Sequence, residues 1–244
     1  MKYKNIIFDF GNVIGKFKGD YILGKFASTP EDYNILADAI FKNWVALDAG
    51  TIDYDQNAED TIAELPDRLK DTARDFFENW FQYVDPLPET WEFIKELKTR
   101  GVPIYLLSNA STRFAERAPE DYPILKEFDG IVFSAPLKMA KPGHDIYYHL
   151  FNKYDLLPSE CFFIDDTVEN VIASKELGME SILFTDFQVT SSHDCTGLIP
   201  SAPLNPAELD SYEELYPFLP PVSSADDAPE QAPPSGKNPS DIKG

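Results

Sequence analysis

The sequence predicts an α/β fold: a parallel sheet with helices on both faces, interrupted once by a helical insertion. Three observations lead there. Short apolar runs at residues 6–10, 102–107, 130–133, 161–164 and 181–184 alternate, after the first, with helical patterns, as parallel strands with crossover helices do. The second run begins only at Val102, and the interval from about Lys16 to Leu87 reads as helix throughout. Several runs also close on polar or charged residues, at the strand ends where open α/β sheets bind ligands.

Each element has its own signal. Ile6-Ile7-Phe8-Asp9-Phe10 is a strand that ends on a carboxylate and breaks at Gly11 into a turn. In the insertion, Thr29-Pro30-Glu31-Asp32 starts a helix, with Thr29 as N-cap and Pro30 in the first helical position. Ile35, Leu36, Ala39, Ile40 and Trp44 then supply an apolar stripe, and Phe76, Phe77, Trp80 and Phe81 do the same over residues 71–83. Trp91, Phe93, Ile94 and Leu97 share one side of a helix that Gly101 stops. Ile146, Tyr147, Leu150 and Phe151 mark another helix. Val168, Val171, Ile172 and Leu177 mark a third, stopped by Gly178. The expected division is a core of residues 1–15 and 88–205, with a helical cap of 16–87 lying as a lid over the ligand edge. An amphipathic helix is expected over 206–219. The tail 220–244 is rich in Pro, Ser, Ala and Asp and is expected to be disordered.

With 244 residues, of which 43% are hydrophobic, the chain can bury one large core plus an insertion. Its formal net charge of −21 argues against nucleic acid and anionic membrane as partners, because phosphate backbones are held by Lys and Arg. Any phosphate site therefore needs local positive charge. Cys161 and Cys195 are too few for a metal cluster or a disulfide framework. No apolar stretch approaches the roughly 18 residues of a membrane span. The expectation is a reduced, soluble, cytoplasmic protein, a monomer or small homo-oligomer.

Four segments carry candidate chemistry. Asp9 is a candidate nucleophile, since a carboxylate can attack phosphorus and split one hard displacement into two easier ones. Gly11 lets the backbone turn so that amides face the phosphate. Taken alone, Asp9-Phe10-Gly11 also describes an ordinary turn. The hydroxyl of Ser108 and the amide of Asn109 can donate to a phosphate oxygen, or cap the next helix. Lys141, fixed by Pro142, is a compact cation for phosphate and for the charge on Asp9, or a solvated surface charge. Asp165-Asp166 closes a buried strand with two carboxylates that need a counter-ion. Mg²⁺ suits them because it takes oxygen ligands and bridges to phosphate, and Asn170, four residues on, is placed to orient Asp166. An acidic pair can also cap the following helix. In a parallel sheet all four segments converge on one crevice, which makes the set far more specific than any member.

With these residues placed, the chain resembles the haloacid dehalogenase (HAD) superfamily of hydrolases over about residues 4–186. Phe8-Asp9-Phe10-Gly11-Asn12-Val13 is similar to its first motif and Leu107-Ser108-Asn109 to its second. Lys141-Pro142 is similar to the third, and Ile164-Asp165-Asp166 with Asn170 to the fourth. The resemblance implies a Rossmann-like core with an α-helical cap of the family's first type, and Mg²⁺-dependent phosphoryl transfer. It makes Asp9 the nucleophile and a metal ligand. The Gly11 backbone carbonyl and Asp166 complete the protein ligands, with Asp165 nearby. Ser108, the Asn109 backbone and Lys141 hold the phosphate, Phe10 and Gly11 count with the substrate-binding residues, and Asn170 supports the carboxylates.

One position departs from that pattern. Most phosphatases of the family carry a second aspartate two residues after the nucleophile, which protonates the leaving group and then activates water. Here the residue is Gly11. The form Asp-x-Gly-Asn-Val resembles bacterial α-D-glucose-1-phosphate phosphatases and their epoxide-hydrolase N-terminal-domain-like relatives. An anomeric oxygen leaves more readily than a simple alkoxide, so glycine is tolerable there. The expected function is an Mg²⁺-dependent phosphatase for a small phosphorylated metabolite such as a hexose 1-phosphate, working through an aspartyl-phosphate on Asp9. The alternatives are a catalytically idle binding module, favoured by Gly11, and a metal-independent dehalogenase, disfavoured by the acidic pair. Trp44, Asp48 and Tyr54 are polar or aromatic groups of the insertion that face the site, pack the cap or lie on a solvated surface.

Overall fold

The computed structural model describes residues 3–185. Strand β1 (Asn5–Phe8) is buried along its whole length, and beyond it the short strand β2 (Gly15–Lys16) leads into the insertion. Five helices follow: α1 (Gly19–Leu23), α2 (Pro30–Ile40), α3 (Trp44–Asp48), α4 (Tyr54–Glu64) and α5 (Asp67–Asn79). The chain returns through β3 (Asp85–Pro86), which pairs antiparallel with β2 so that Lys16 faces Asp85. From there strand and helix alternate: α6 (Pro88–Thr99), β4 (Ile104–Ser108), α7 (Thr112–Asp121), β5 (Gly130–Phe133), α8 (His144–Tyr154), β6 (Cys161–Asp165), α9 (Val168–Glu176) and β7 (Glu180–Leu183).

The main sheet has five strands in the order β5-β4-β1-β6-β7, and every pairing is parallel. β1 is therefore central, and its alternate residues feed two cores. Ile6 and Phe8 pack with α6 and the insertion, where Phe8 meets the Phe93 and Phe128 rings at 6.2 and 6.0 Å. Ile7 points to the opposite face, among Tyr147, Leu150 and Phe163.

The start signal read at Thr29 holds: its side chain accepts the Asp32 N–H at 3.1 Å, and Pro30 opens α2. Gly101 and Gly178 stop their helices with φ of +72° and +81°, a conformation that strains any residue with a Cβ. Some bounds move. β1 ends at Phe8 rather than Phe10, so Asp9 is the first residue past the strand. The segment read as 71–83 starts at Asp67 and tightens after Asn79 into a 3₁₀ turn, Trp80–Tyr83. Cys161 is a free, buried thiol. Cys195, the helix expected over 206–219 and the tail 220–244 lie outside the described residues. Among the described residues, no helix is long and apolar enough to cross a membrane.

The insertion is tied to the sheet by both ends and by its loops. Leu87 N–H and the Trp91 indole each donate to the Ile14 carbonyl at 3.0 Å. Arg113 of α7 pairs with Asp55 of α4. The loop after α3 lies directly on the core backbone: Gly50 has φ +66°, and a Cβ there would sit 2.1 Å from the Ala135 carbonyl oxygen. Just before it, the Asp48 carbonyl accepts the hydroxyl of fully buried Ser134.

Candidate active site

Parallel register brings the carboxyl ends of β1, β4 and β6 to one edge, because Phe8 pairs with both Leu106 and Ile164. Asp9 follows β1, Ser108 closes β4 and Asp165 closes β6. Each of Asp9, Asp165 and Asp166 has an oxygen within 4.8 Å of the others. Lys141 arrives from the loop before α8 and is almost fully buried. Its Nζ donates to Asp165 Oδ2 at 2.6 Å and to the Leu107 carbonyl at 2.8 Å. It also lies 2.8 Å from Asp9 Oδ1, an ion pair outside hydrogen-bond alignment.

The supporting contacts explain why these groups stay in place. Asn109 clamps the lysine loop from both sides: its Nδ2 donates to the Lys141 carbonyl at 2.8 Å and its Oδ1 accepts the Lys141 N–H at 2.9 Å. The Asn109 side chain is thus occupied by the lysine loop. Ser111, not Ser108 or Asn109, caps α7 by accepting the Phe114 N–H. Asp165 is fully buried and fully partnered, because Asn170 Nδ2 reaches its two oxygens at 3.0 and 3.1 Å and Thr167 N–H donates to Oδ1 at 2.8 Å. Asn170 therefore orients Asp165 rather than Asp166. Asp166 is held instead by Asn12, whose amide donates to Oδ2 at 2.9 Å while its own oxygen takes the Phe17 N–H at 3.0 Å. Asn12 has φ +52°, and asparagine adopts that left-handed conformation more readily than most residues. An asparagine directly after a turn glycine was the available sequence signal for this role.

Charge in the cluster is unbalanced. Three carboxyl groups surround one lysine in a largely buried site, an excess of acidic groups over cations. Burial pushes the Asp9 carboxyl up to about 7; Lys141 pulls it down, and Asp165 and Asp166 push it up further. Burial also raises Asp166, and the two carboxylates hold the Lys141 ammonium above its ordinary value against its own desolvation. An all-oxygen donor set with surplus negative charge fits a hard divalent cation such as Mg²⁺.

A cavity of about 90 Å³ opens above Asp9. It is lined from the core by Asp9, the turn at Phe10 and Gly11, and Ser108 to Ser111 with Phe114, and from the insertion by Phe17, Trp44, Asp48 and Trp80. The Phe10 ring itself is buried in the core, 4.9 Å from the Phe114 ring and 4.8 Å from Tyr122. Trp44 and Asp48 face the cavity, whereas Tyr54 packs the cap, donating to the Phe77 carbonyl and accepting from the Trp80 indole. Phe17, Ser111 and Phe114 carried no sequence signal for the site, and Trp80 read as core because it lies in an apolar stripe.

Gly11 is not forced by sterics. Its φ is not positive, and a Cβ there would meet only Asp9 Oδ2 at 3.9 Å and Phe17 Cβ at 4.0 Å, both ordinary contacts. Gly11→Ala is therefore expected to fold normally, with a change under about 1 kcal/mol, or roughly 2–4 °C in melting temperature by differential scanning fluorimetry.

Comparisons with known proteins bear on the family and the fold. The family model for haloacid dehalogenase-like hydrolases matches residues 3–178. A sesquiterpene phosphatase of Aspergillus oryzae is 35% identical over 97 residues, covering 40% of this chain and 50% of that protein. A D-ribitol-5-phosphate phosphatase of Bacteroides thetaiotaomicron is 26% identical over 188 residues, covering 73% and 90%. Several of the curated relatives are matched over only about half of their length or less. Among solved structures, a HAD family enzyme of Bacteroides thetaiotaomicron, crystallised with magnesium and inorganic phosphate, superposes with a TM-score of 0.57 at 22% identity, over 75% of this chain and 94% of that one. A match across most of the described residues, on a sheet whose strand ends gather the motif residues of that family, makes this chain a member of the haloacid dehalogenase-like hydrolases.

Proposed function

We propose that the protein is an Mg²⁺-dependent phosphatase of small phosphorylated metabolites, with sugar phosphates such as a hexose 1-phosphate as the expected class, acting through an aspartyl-phosphate on Asp9. The observation that supports it best is the pairing of one buried lysine with Asp9 and Asp165 beside a third carboxylate. Relatives named as phosphatases point to the same chemistry.

Asp9 Oδ attacks phosphorus, and Lys141 neutralises charge on the phosphoryl oxygens and on Asp9 itself. Ser108 and the backbone amides after it donate to the same oxygens. Asp9, Asp166 and the Gly11 carbonyl would hold Mg²⁺, with Asp165 beside them; when bound, it supplies further positive charge for the phosphoryl group. The insertion excludes water from the cavity. The barrier to a metal-free dehalogenation reading is physical: displacement at carbon has no use for the second and third carboxylates.

The test is a phosphate-ester panel run with Mg²⁺ and again after EDTA treatment. Turnover of p-nitrophenyl phosphate is expected with Mg²⁺, to fall at least about a hundredfold in EDTA and to return on adding Mg²⁺. Unchanged turnover in EDTA would remove the metal from the proposal, and no release from any ester would leave the idle module. The aromatic residues lining the cavity favour a second reading in which the organic group is apolar, as the name of the Aspergillus relative also suggests. A higher kcat/KM for an isoprenoid monophosphate than for hexose phosphates in the same panel would select it.

A further inference from the structure

The geometry points to Asp48, carried by the cap, as the group that protonates the leaving oxygen and later takes the proton of the attacking water, the task that Gly11 leaves undone on the core side. This rests on the phosphatase reading. In an in-line displacement the leaving oxygen departs on the side of phosphorus opposite the nucleophile. The cap lines the same cavity as Asp9, and Asp48 is the one carboxyl it brings there: of the cavity-lining residues, Asp9 and Asp48 are the two with acidic side chains.

The position of Asp48 is built rather than incidental. It ends α3, and its carbonyl is fixed by Ser134, which in turn accepts the Ala110 N–H at 2.8 Å. Two residues later Gly50 lies against the Ala135 backbone too closely for any side chain. These two anchors hold a cap carboxyl over a core site, and Ser134 links it to the loop that carries Ser108 and Asn109. The groups that act on Asp48 are Asp9 across the cavity and the Ser111 backbone N–H. Burial and the Asp9 charge push its carboxyl up to about 7, against a smaller opposite effect of Ser111. A proton is thus available on Asp48 near neutral pH, as a general acid requires.

In the first step, the Asp9 Oδ–P bond forms and the P–O bond to the organic group breaks. The departing electron pair takes the Asp48 proton, giving a neutral alcohol and an Asp48 carboxylate. In the second, a water oxygen bonds phosphorus while its proton passes to Asp48. The Asp9–P bond breaks with its electron pair returning to the Asp9 carboxylate. The sum is ester plus water to alcohol plus phosphate, with both aspartates restored. With this acid in place the reaction no longer needs an activated leaving group, so any preference for a hexose 1-phosphate becomes a matter of fit in the cavity.

Asp48→Asn keeps the shape and the backbone contact to Ser134. In the full-length protein with Mg²⁺, it is expected to lower kcat on an alkyl phosphate such as hexose 6-phosphate by about 10²–10⁴-fold. With p-nitrophenyl phosphate, whose leaving group needs no proton, it should release about one equivalent of p-nitrophenol per enzyme in a burst and then stall, because the phosphoenzyme lacks its base. Asp48→Glu is expected to restore part of the alkyl-ester activity. An Asp48→Asn protein with wild-type kcat on both esters and no burst would overturn the proposal, as would a loss confined to KM, which would mark a binding residue. Both outcomes leave the phosphatase intact. A wild-type protein inactive on every ester would instead take down the phosphatase reading, and this inference with it.

Discussion

Asp9→Asn is expected to abolish turnover of p-nitrophenyl phosphate, with kcat reduced on the order of 10⁴-fold or more, while the protein stays folded. The activity loss follows from removing the oxygen that bonds phosphorus; the amide cannot replace it, and Lys141 and the amide-rich turn can only bind the substrate. The stability expectation comes from the electrostatics. Asp9 is buried, and its carboxyl is pushed up to about 7 chiefly by desolvation. An acid whose pKa is higher in the fold than in the unfolded chain weakens the fold as pH rises from the unfolded value through the folded one. At pH 8 in EDTA the charged form is therefore a burden, and neutral asparagine should leave the melting temperature unchanged or higher. A variant that lost activity and also melted far below wild type would show that Asp9 serves the fold, and would weaken its role as nucleophile.

Lys141→Met is expected to fail on both counts. Methionine matches the length of the aliphatic stem but leaves Asp9 and Asp165 without their shared cation in a buried site. Removing one partner of a buried ion pair costs about 3–5 kcal/mol, because the other charge remains unpaired. That corresponds to a melting temperature lower by roughly 10 °C for a domain of this size. Asp165 keeps Asn170 and Thr167 N–H, so the loss should fall short of complete unfolding. Activity on any ester should be undetectable, and Mg²⁺ should stabilise this variant more than wild type, since a cation among the carboxylates then has more charge to offset. A melting temperature equal to wild type would contradict the geometry around Lys141. Comparing the two variants separates the roles: Asp9 bonds phosphorus, while Lys141 neutralises charge and holds the site together.

The strands were legible because burial on both sheet faces demands short continuous apolar runs, and the convergence of the candidate residues because parallel strands deliver their carboxyl ends to one edge. Asp9, Ser108, Lys141, Asp165 and Asp166 meet there for that reason. Asn170 shows where such reading stops. The i, i+4 rule that linked it to Asp166 applies inside a helix, but α9 begins only at Val168, so Asp166 lies before it and the amide reaches Asp165 instead. Asn12 follows a turn glycine, which signals a left-handed backbone, but the carboxylate its amide meets was decided by the fold.

Local chemistry in the sequence by itself determined the alternation of strand and helix, the helical interruption after the first strand, and the set of carboxylates, hydroxyl and lysine at the strand ends. Those depend on periodicity and on near neighbours along the chain. What covers the site was decided only by the tertiary structure. Asp48, Phe17, Trp44 and Trp80 belong to an insertion whose placement over Asp9 is fixed by long-range docking, the Ser134 hydroxyl on the Asp48 carbonyl and Gly50 flat against Ala135. Contacts between surfaces so far apart in sequence leave no periodic trace, because they arise from the fit of two folded bodies and not from the pattern within either.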